Sequence, residues 1–157
     1  MQIDRLVAAL SAGLSSDRIL FRDSEITPYE CDGLTIFRAR PKVVVLPETR
    51  DEVCHVLKVC HANNVPVVPR GAGTGLSGGA LPHVDGVLLV MAKFNRILEI
   101  DADARTARVE PGVRNLAISE AVVALNLYYA PDPSSQIACS IGGNIAENAG
   151  GVHCLKY

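Results

Sequence analysis

Apolar and polar positions along this chain fall into blocks of different period, and the change of period is the first guide to its fold. Residues 3–10 place Ile3, Leu6, Val7 and Leu10 at the spacing of one helical face, which predicts a short amphipathic helix. Residues 15–40 keep no period and carry turn signals at Thr27-Pro28 and Asp32-Gly33, so they read as an ordered lead-in with no function legible in it. Val43, Val44, Val45 and Leu46 then run unbroken up to Pro47, the pattern of a strand buried on both faces. Thr49-Arg50-Asp51-Glu52 forms a capping box, in which the threonine and glutamate side chains satisfy the first free N–H groups of a helix. Val53, Val56, Leu57 and Cys60 give that helix one stripe, and Asn63-Asn64 ends it. Residues 65–68 supply the next strand, so the unit reads β-α-β, with parallel strands and a right-handed crossover. A third apolar run covers residues 87–91.

Beyond Lys93-Phe94-Asn95 the period changes, and a subdomain boundary is placed there. Ile97, Ile100, Ala107 and Val109 flank the polar turn Asp101-Ala102-Asp103-Ala104, which predicts an antiparallel hairpin closed by Glu110-Pro111-Gly112. Val113, Leu116, Ala117, Ala121, Ala124 and Leu125 mark a helix running to about Asn126. Tyr128 and Tyr129 read as packing residues, and Pro131 and Pro133 fix a stiff path ahead of Ser134 and Ser135. The fold class is α+β: a lead-in over residues 1–39, a small parallel βαβ subdomain over 40–95, and the start of an antiparallel-sheet subdomain over 96–157.

Two glycine-rich stretches stand out against this scaffold. Residues 67–80 read VVPRGAGTGLSGGA, a strand end that breaks into glycines at 71, 73, 75, 78 and 79. A concavity of backbone N–H groups needs unusual φ values and an approach too close for side chains, so the loop reads as a cradle for a diphosphate. Thr74 and Ser77 add hydroxyls to it and Arg70 adds charge. Gly73, Gly75 and Gly78 also spell G-x-G-x-x-G, but a nicotinamide-binding Rossmann site needs a helix opening at that loop. Ala80-Leu81-Pro82-His83 gives none, although Glu99 and Asp101 stand near the distance expected of a ribose-binding acid. A Walker loop is excluded because no Lys-Ser/Thr pair follows the glycines. Residues 137–151, IACSIGGNIAENAGG, pair glycines at 142-143 and 150-151 and place Asn144 and Asn148 one helical turn apart. Small-residue helix packing explains this second stretch equally well on its own. Two such surfaces in one chain suit a long, two-ended ligand.

Composition narrows the class. With 157 residues and 48% hydrophobic content the chain has the makings of one modest core or part of a larger one. A net charge of -2 with scattered Lys and Arg leaves no nucleic-acid footprint. The five cysteines, Cys31, Cys54, Cys60, Cys139 and Cys154, match no zinc spacing and suit reduced thiols in cytosol. Cys54-His55 and Cys60-His61 read as packing residues, and no metal site is expected. No apolar run reaches the ~20 residues of a membrane span, and the N-terminus lacks the pattern of a signal peptide.

The runs RPKVVVLPETRDEV, VPVVPRGAGTGLSGGALP, GVLLVMAKFNRILEID, ARVEPGVRNLAISEAV and LYYAPDPSSQIACSIGGNIAENAGGVHCLKY, together residues 40–157, carry a resemblance. The chain resembles the FAD-binding domain of the vanillyl-alcohol-oxidase and p-cresol-methylhydroxylase (PCMH-type) flavoprotein superfamily. Within it, the chain resembles the group formed by the FAD-linked subunit of bacterial glycolate oxidase and the D-lactate and D-2-hydroxyglutarate dehydrogenases. The resemblance implies a PCMH-type fold of two subdomains holding FAD between them. Arg70, Gly71, Ala72, Gly73, Thr74, Gly75, Leu76, Ser77, Gly78 and Gly79 would wrap the pyrophosphate. Pro131, Ser134, Cys139, Gly142, Gly143, Asn144, Asn148 and Gly151 would line the ribityl chain and the isoalloxazine. Several relatives bind flavin covalently through a histidine in the first loop; none stands between Arg70 and Ala80, so non-covalent FAD is expected.

The chemistry implied is oxidation of a 2-hydroxy acid to the 2-oxo acid by hydride transfer to the flavin. Partner subunits of a glycolate-oxidase-type complex are implied as well. So is a cytoplasmic location, peripheral to the inner membrane through those partners. The resemblance further implies a truncated chain: the cap domain that carries substrate-binding and catalytic residues in such proteins would follow residue 157, so no catalytic residue is assigned. Weak FAD affinity and no turnover in isolation are expected. The alternative is a non-catalytic flavin- or nucleotide-binding module.

Overall fold

The computed structural model describes residues 2–156, and its centre is a four-stranded sheet. In chain order its elements are helix α1 (Ile3–Ser11), strand β1 (Ile19–Leu20), helix α2 (Asp23–Ile26), strand β2 (Val43–Val45), helix α3 (Arg50–Ala62), strand β3 (Val67–Arg70) and strand β4 (Val87–Val90). A second sheet pairs β5 (Ile97–Asp101) with β6 (Thr106–Val109), and helices α4 (Asn115–Val122) and α5 (Ile141–Ala146) follow. The four-stranded sheet is ordered β1-β2-β4-β3, with β1 antiparallel to β2 and the other three strands parallel. β2 and β3 are thus parallel across the α3 crossover, and β4 enters between them. Val43 and Val67 both pair with Val87.

Unbroken apolar runs at β2 and β4 follow from burial on both faces. Val43, Val45, Val87 and Leu89 pack against Leu6, Leu10, Val56 and Cys60 of α1 and α3. Val44, Leu88 and Val90 face the other way, onto Ile26 with Leu20 and Tyr29 beside it. The irregular lead-in, through Ile26 and Tyr29, therefore packs onto that face of the sheet. The His55 ring bonds the Ala9 carbonyl at 3.1 Å and burial pushes the Cys60 thiol up, so both act in packing.

The capping box forms: Glu52 N donates to Thr49 Oγ1 at 3.3 Å and Thr49 N to Glu52 Oε2 at 3.2 Å. Arg18 adds its guanidinium to the same carboxylate, which joins the lead-in to the start of α3. Leu57, expected on the buried stripe of α3, is 46% exposed; the stripe runs through Val53, Val56, Val59 and Cys60 instead.

In the second part the hairpin closes as the pattern predicts, with a register shift between Ile97 and Glu99. Glu110 clamps its open end by accepting from Arg96 N at 2.6 Å and Arg96 Nη2 at 2.7 Å. The face expected of the following helix is out of phase with the one it buries. α4 buries Asn115, Ile118 and Val122, while Ala121, Ala124 and Leu125 are exposed. A buried asparagine occupies a position where the apolar pattern carries no signal. Helical structure ends at Asn126, whose φ of 55° is left-handed.

Candidate cofactor site

Because β3 ends at the carboxyl edge of a parallel sheet, its loop projects into the region where open α/β sheets form ligand crevices. There the loop faces α5 across a cleft of about 690 Å³. One wall is formed by residues 69–77 with Gly79 and Ala80, and the other by Ser134, Ser135, Cys139 and the start of α5. The two glycine-rich stretches, some 70 positions apart in sequence, thus share one concavity. A smaller chamber of about 310 Å³ adjoins it, sharing Gly71, Ala72 and Ser140 and reaching Asn95, Ile97 and Ala117.

The glycines act differently on the two walls. Gly73 and Gly78 have φ of 73° and 84°, values that L side chains rarely adopt, and they turn the first loop back on itself. Gly142 makes close packing instead: a Cβ there would stand 2.8 Å from Pro111 Cβ, and its N–H donates to the Pro111 carbonyl at 2.9 Å. Ile141 N bonds the Val113 carbonyl at 2.8 Å, so α5 is attached to the strand-to-helix turn after the hairpin. Ser140 caps α5, accepting from Gly143 N at 3.4 Å. The walls meet where its hydroxyl lies against Gly71.

Of the residues singled out from sequence, Arg70, Gly71, Ala72, Gly73, Thr74, Gly75, Leu76, Ser77, Gly79, Ser134, Cys139, Gly142, Gly143 and Asn144 line the cleft. Gly78, Pro131, Asn148 and Gly151 lie outside that lining. Gly78 directs its N–H to Asp32 Oδ2 at 3.0 Å. The Pro131 carbonyl accepts from Asn115 Nδ2 at 3.0 Å, and Gly151 bridges to Asp132, so both brace the second wall from behind. Asn148 is exposed and left-handed at φ 54°, beyond the end of α5, so the one-turn spacing from Asn144 does not continue on one helix. Sequence reasoning missed Met91, Pro111, Ser140 and Glu147 in the lining. Ser140 had a readable signal, a serine at the N-cap position ahead of an apolar residue.

Charge is sparse in the cleft. Burial lowers the Arg70 pKa from its ordinary value, and the neighbouring Cys31, Tyr29 and Asp32 oppose that shift. Glu147 reaches across the mouth, where Ser77 Oγ donates to its Oε2 at 2.5 Å. Asn144 is 8% exposed, and its Nδ2 is a buried donor without a partner among the described residues. Among the described residues no group of three or more His, Cys, Asp or Glu side chains is placed to hold a metal ion.

Residues 41–157 match the FAD binding domain family. The chain belongs to that family. It is 65% identical over 157 residues to glycolate oxidase subunit GlcD of Escherichia coli (strain K12), covering 99% of this chain and 32% of that protein. It is 36% identical over 145 residues to a D-lactate dehydrogenase of Anaerostipes hadrus, covering 92% of this chain and 30% of that one. Among solved structures, p-cresol methylhydroxylase with substrate bound superposes with a TM-score of 0.70 at 27% identity, over 82% of this chain and 27% of that one. The chain spans about a third of the length of the curated relatives it matches.

FAD is therefore its cofactor, and the cleft fits such a group. Its first wall offers backbone rather than side chains, Gly75 has open space where a Cβ would stand, and Asn144 Nδ2 is an unsatisfied buried donor. The nicotinamide alternative loses its structural basis. The loop after β3 runs through turns to β4, with no helix between them.

Proposed function

We propose that this chain is the FAD-binding part of an oxidoreductase that converts a 2-hydroxy acid of the glycolate or D-lactate type to its 2-oxo acid. The observation that carries the reading is the single cleft between two glycine-rich walls, in a chain 65% identical over its length to a glycolate oxidase subunit. Residues 70–77 and Gly79 hold the diphosphate, chiefly through backbone N–H groups, with the Thr74 hydroxyl as a further donor while Ser77 gives its proton to Glu147. Arg70 sets positive charge behind that loop. Ser134, Cys139, Gly142, Gly143 and Asn144 line the other side along the ribityl chain and the ring. Gly78, Pro131 and Gly151 serve as bracing, and Asn148 ends the turn after α5.

When bound, FAD supplies the acceptor for hydride from the α-carbon of the hydroxy acid. The chain's own part is to bind, orient and desolvate. The glycine-rich first wall lets backbone dipoles meet an anion without a compensating cluster of basic residues. With no histidine between Arg70 and Ala80, the cofactor is held without a covalent bond. We place the protein in the cytoplasm, against the inner membrane through partner subunits. No helix among the described residues is long and apolar enough to cross a membrane.

The test is a titration of the purified protein with FAD and, separately, NADH by equilibrium dialysis. Glycolate and D-lactate are then added in turn, without oxygen, to the FAD-loaded whole oxidoreductase of which this chain is the proposed part. FAD retention and bleaching of the flavin bands by one of the acids are expected. A preference for NADH contradicts the reading of the cleft, and flavin that neither acid bleaches contradicts the proposed substrate class.

A further inference from the structure

The lead-in segment lies outside the matched family span of 41–157, yet it ties the cofactor loop at three points. Asp32 is 5% exposed, and a buried carboxylate is costly unless its oxygens are hydrogen-bonded. Both oxygens are used on backbone donors: Leu34 N at 3.0 Å to Oδ1 and Gly78 N at 3.0 Å to Oδ2. The next residue, Gly33, donates its N–H to the Gly75 carbonyl at 3.0 Å, and a Cβ on it would stand 2.7 Å from the Thr74 carbonyl oxygen. Arg70 Nη1 donates to the Cys31 carbonyl at 2.7 Å and to the Ala80 carbonyl at 3.3 Å, and its guanidinium lies 5.8 Å from the centre of the Tyr29 ring. The loop is thus tied at 70, 75 and 78 by a stretch some forty positions earlier, and Arg70 closes it internally onto Ala80.

Gly78 is the one residue between 69 and 80 that does not line the cleft, and it is the one whose N–H Asp32 takes. Its φ of 84° reverses the chain at that point. We propose that Asp32 is a positioning residue for the cofactor loop: its carboxylate holds the left-handed turn at Gly78, and that turn keeps residues 70–77 presented to the cleft. Asp32 itself touches no cofactor. The inference rests on FAD occupying the cleft, and it makes residues 29–34 a working part of the site rather than a leader to it.

The test compares wild type with D32A, D32N and, as a control, E52Q, which loosens the start of α3, where Glu52 is bonded to Arg18 and Thr49 and not to the loop. Three quantities are read in each: FAD affinity, the thermal midpoint without cofactor, and amide exchange of residues 71–80 without cofactor. D32A is expected to weaken FAD binding roughly tenfold, the worth of about one charge-assisted hydrogen bond, and to speed exchange at residues 73–80. D32N keeps one acceptor and should fall between D32A and wild type. E52Q should lower the midpoint and leave both loop readouts alone. The proposal is overturned if D32A leaves exchange and affinity at wild-type values, or if E52Q weakens FAD binding in proportion to its lowered midpoint as much as the Asp32 variants do. A wild type that takes up no FAD would defeat the proposed function instead, and the exchange comparison would still decide the role of Asp32.

Discussion

Both walls of the cleft carry glycine, and they are built on different principles. The first, residues 70–80, depends on backbone conformation: two of its glycines have positive φ, and its ties run to Cys31 and Asp32, 39 and 46 positions away. The second, around α5, depends on close packing. Gly142 sits against Pro111, Ser140 caps the helix, and Asn115 draws in the segment that precedes it. The same residue type therefore means a turn on one wall and a contact on the other, and substitutions should separate the two.

The largest effect is expected from Gly73→Val. Its φ of 73° alone costs a β-branched residue about 1–3 kcal/mol, and its Cβ would overlap the Arg70 guanidinium. FAD retention through gel filtration should be lost. Gly75→Val is the sharper test, because no atom lies within 4 Å of a Cβ there. The thermal midpoint without cofactor should hold while FAD affinity collapses, since the space it fills is where ligand approaches. On the second wall, Asn115→Ala leaves the Pro131 carbonyl without its donor. A loss of about 1–3 kcal/mol in urea unfolding is expected, with weaker FAD binding as a consequence.

Legibility followed the range of the contacts. The α3 capping box, the doubly buried strands and the hairpin were readable because each is specified by residues a few positions apart. The phase of α4 was not, since alanines at 117, 121 and 124 fit either face and the deciding residue, Asn115, is a polar side chain buried by a hydrogen bond. Both glycine segments were visible as candidates. That they would share one long ligand was legible too, but the geometry that joins them was not, because it depends on β4 entering between β2 and β3 and on the turn at Pro111. The lead-in offered least: its contribution lies in Asp32 and Cys31 meeting a loop forty residues on, which no local pattern encodes.

Away from both walls, Glu52→Gln should cost about 1–2 kcal/mol through the lost charge opposite Arg18, since glutamine still completes the capping box, with FAD affinity unchanged. Arg18, by hydrogen bonding, holds the Glu52 carboxyl below its ordinary pKa. A depressed folded pKa gives stability that is present above the unfolded value and lost as pH falls through the folded one. Acid unfolding should therefore be less steep in the variant, as followed by circular dichroism. The smallest change is expected at the point where the walls touch through side chains. Glu147→Gln removes a negative charge from Ser77 at the cleft mouth, and FAD affinity should rise a few-fold at low salt and less at high salt.

The central claim is that one ligand engages both walls at once, and hydrogen–deuterium exchange with and without FAD reads both in a single experiment. The account predicts that FAD slows exchange in residues 71–77 and residues 142–149 together, with the same concentration dependence, and that NADH does neither. Protection confined to one segment, or two segments saturating at different FAD concentrations, would contradict it.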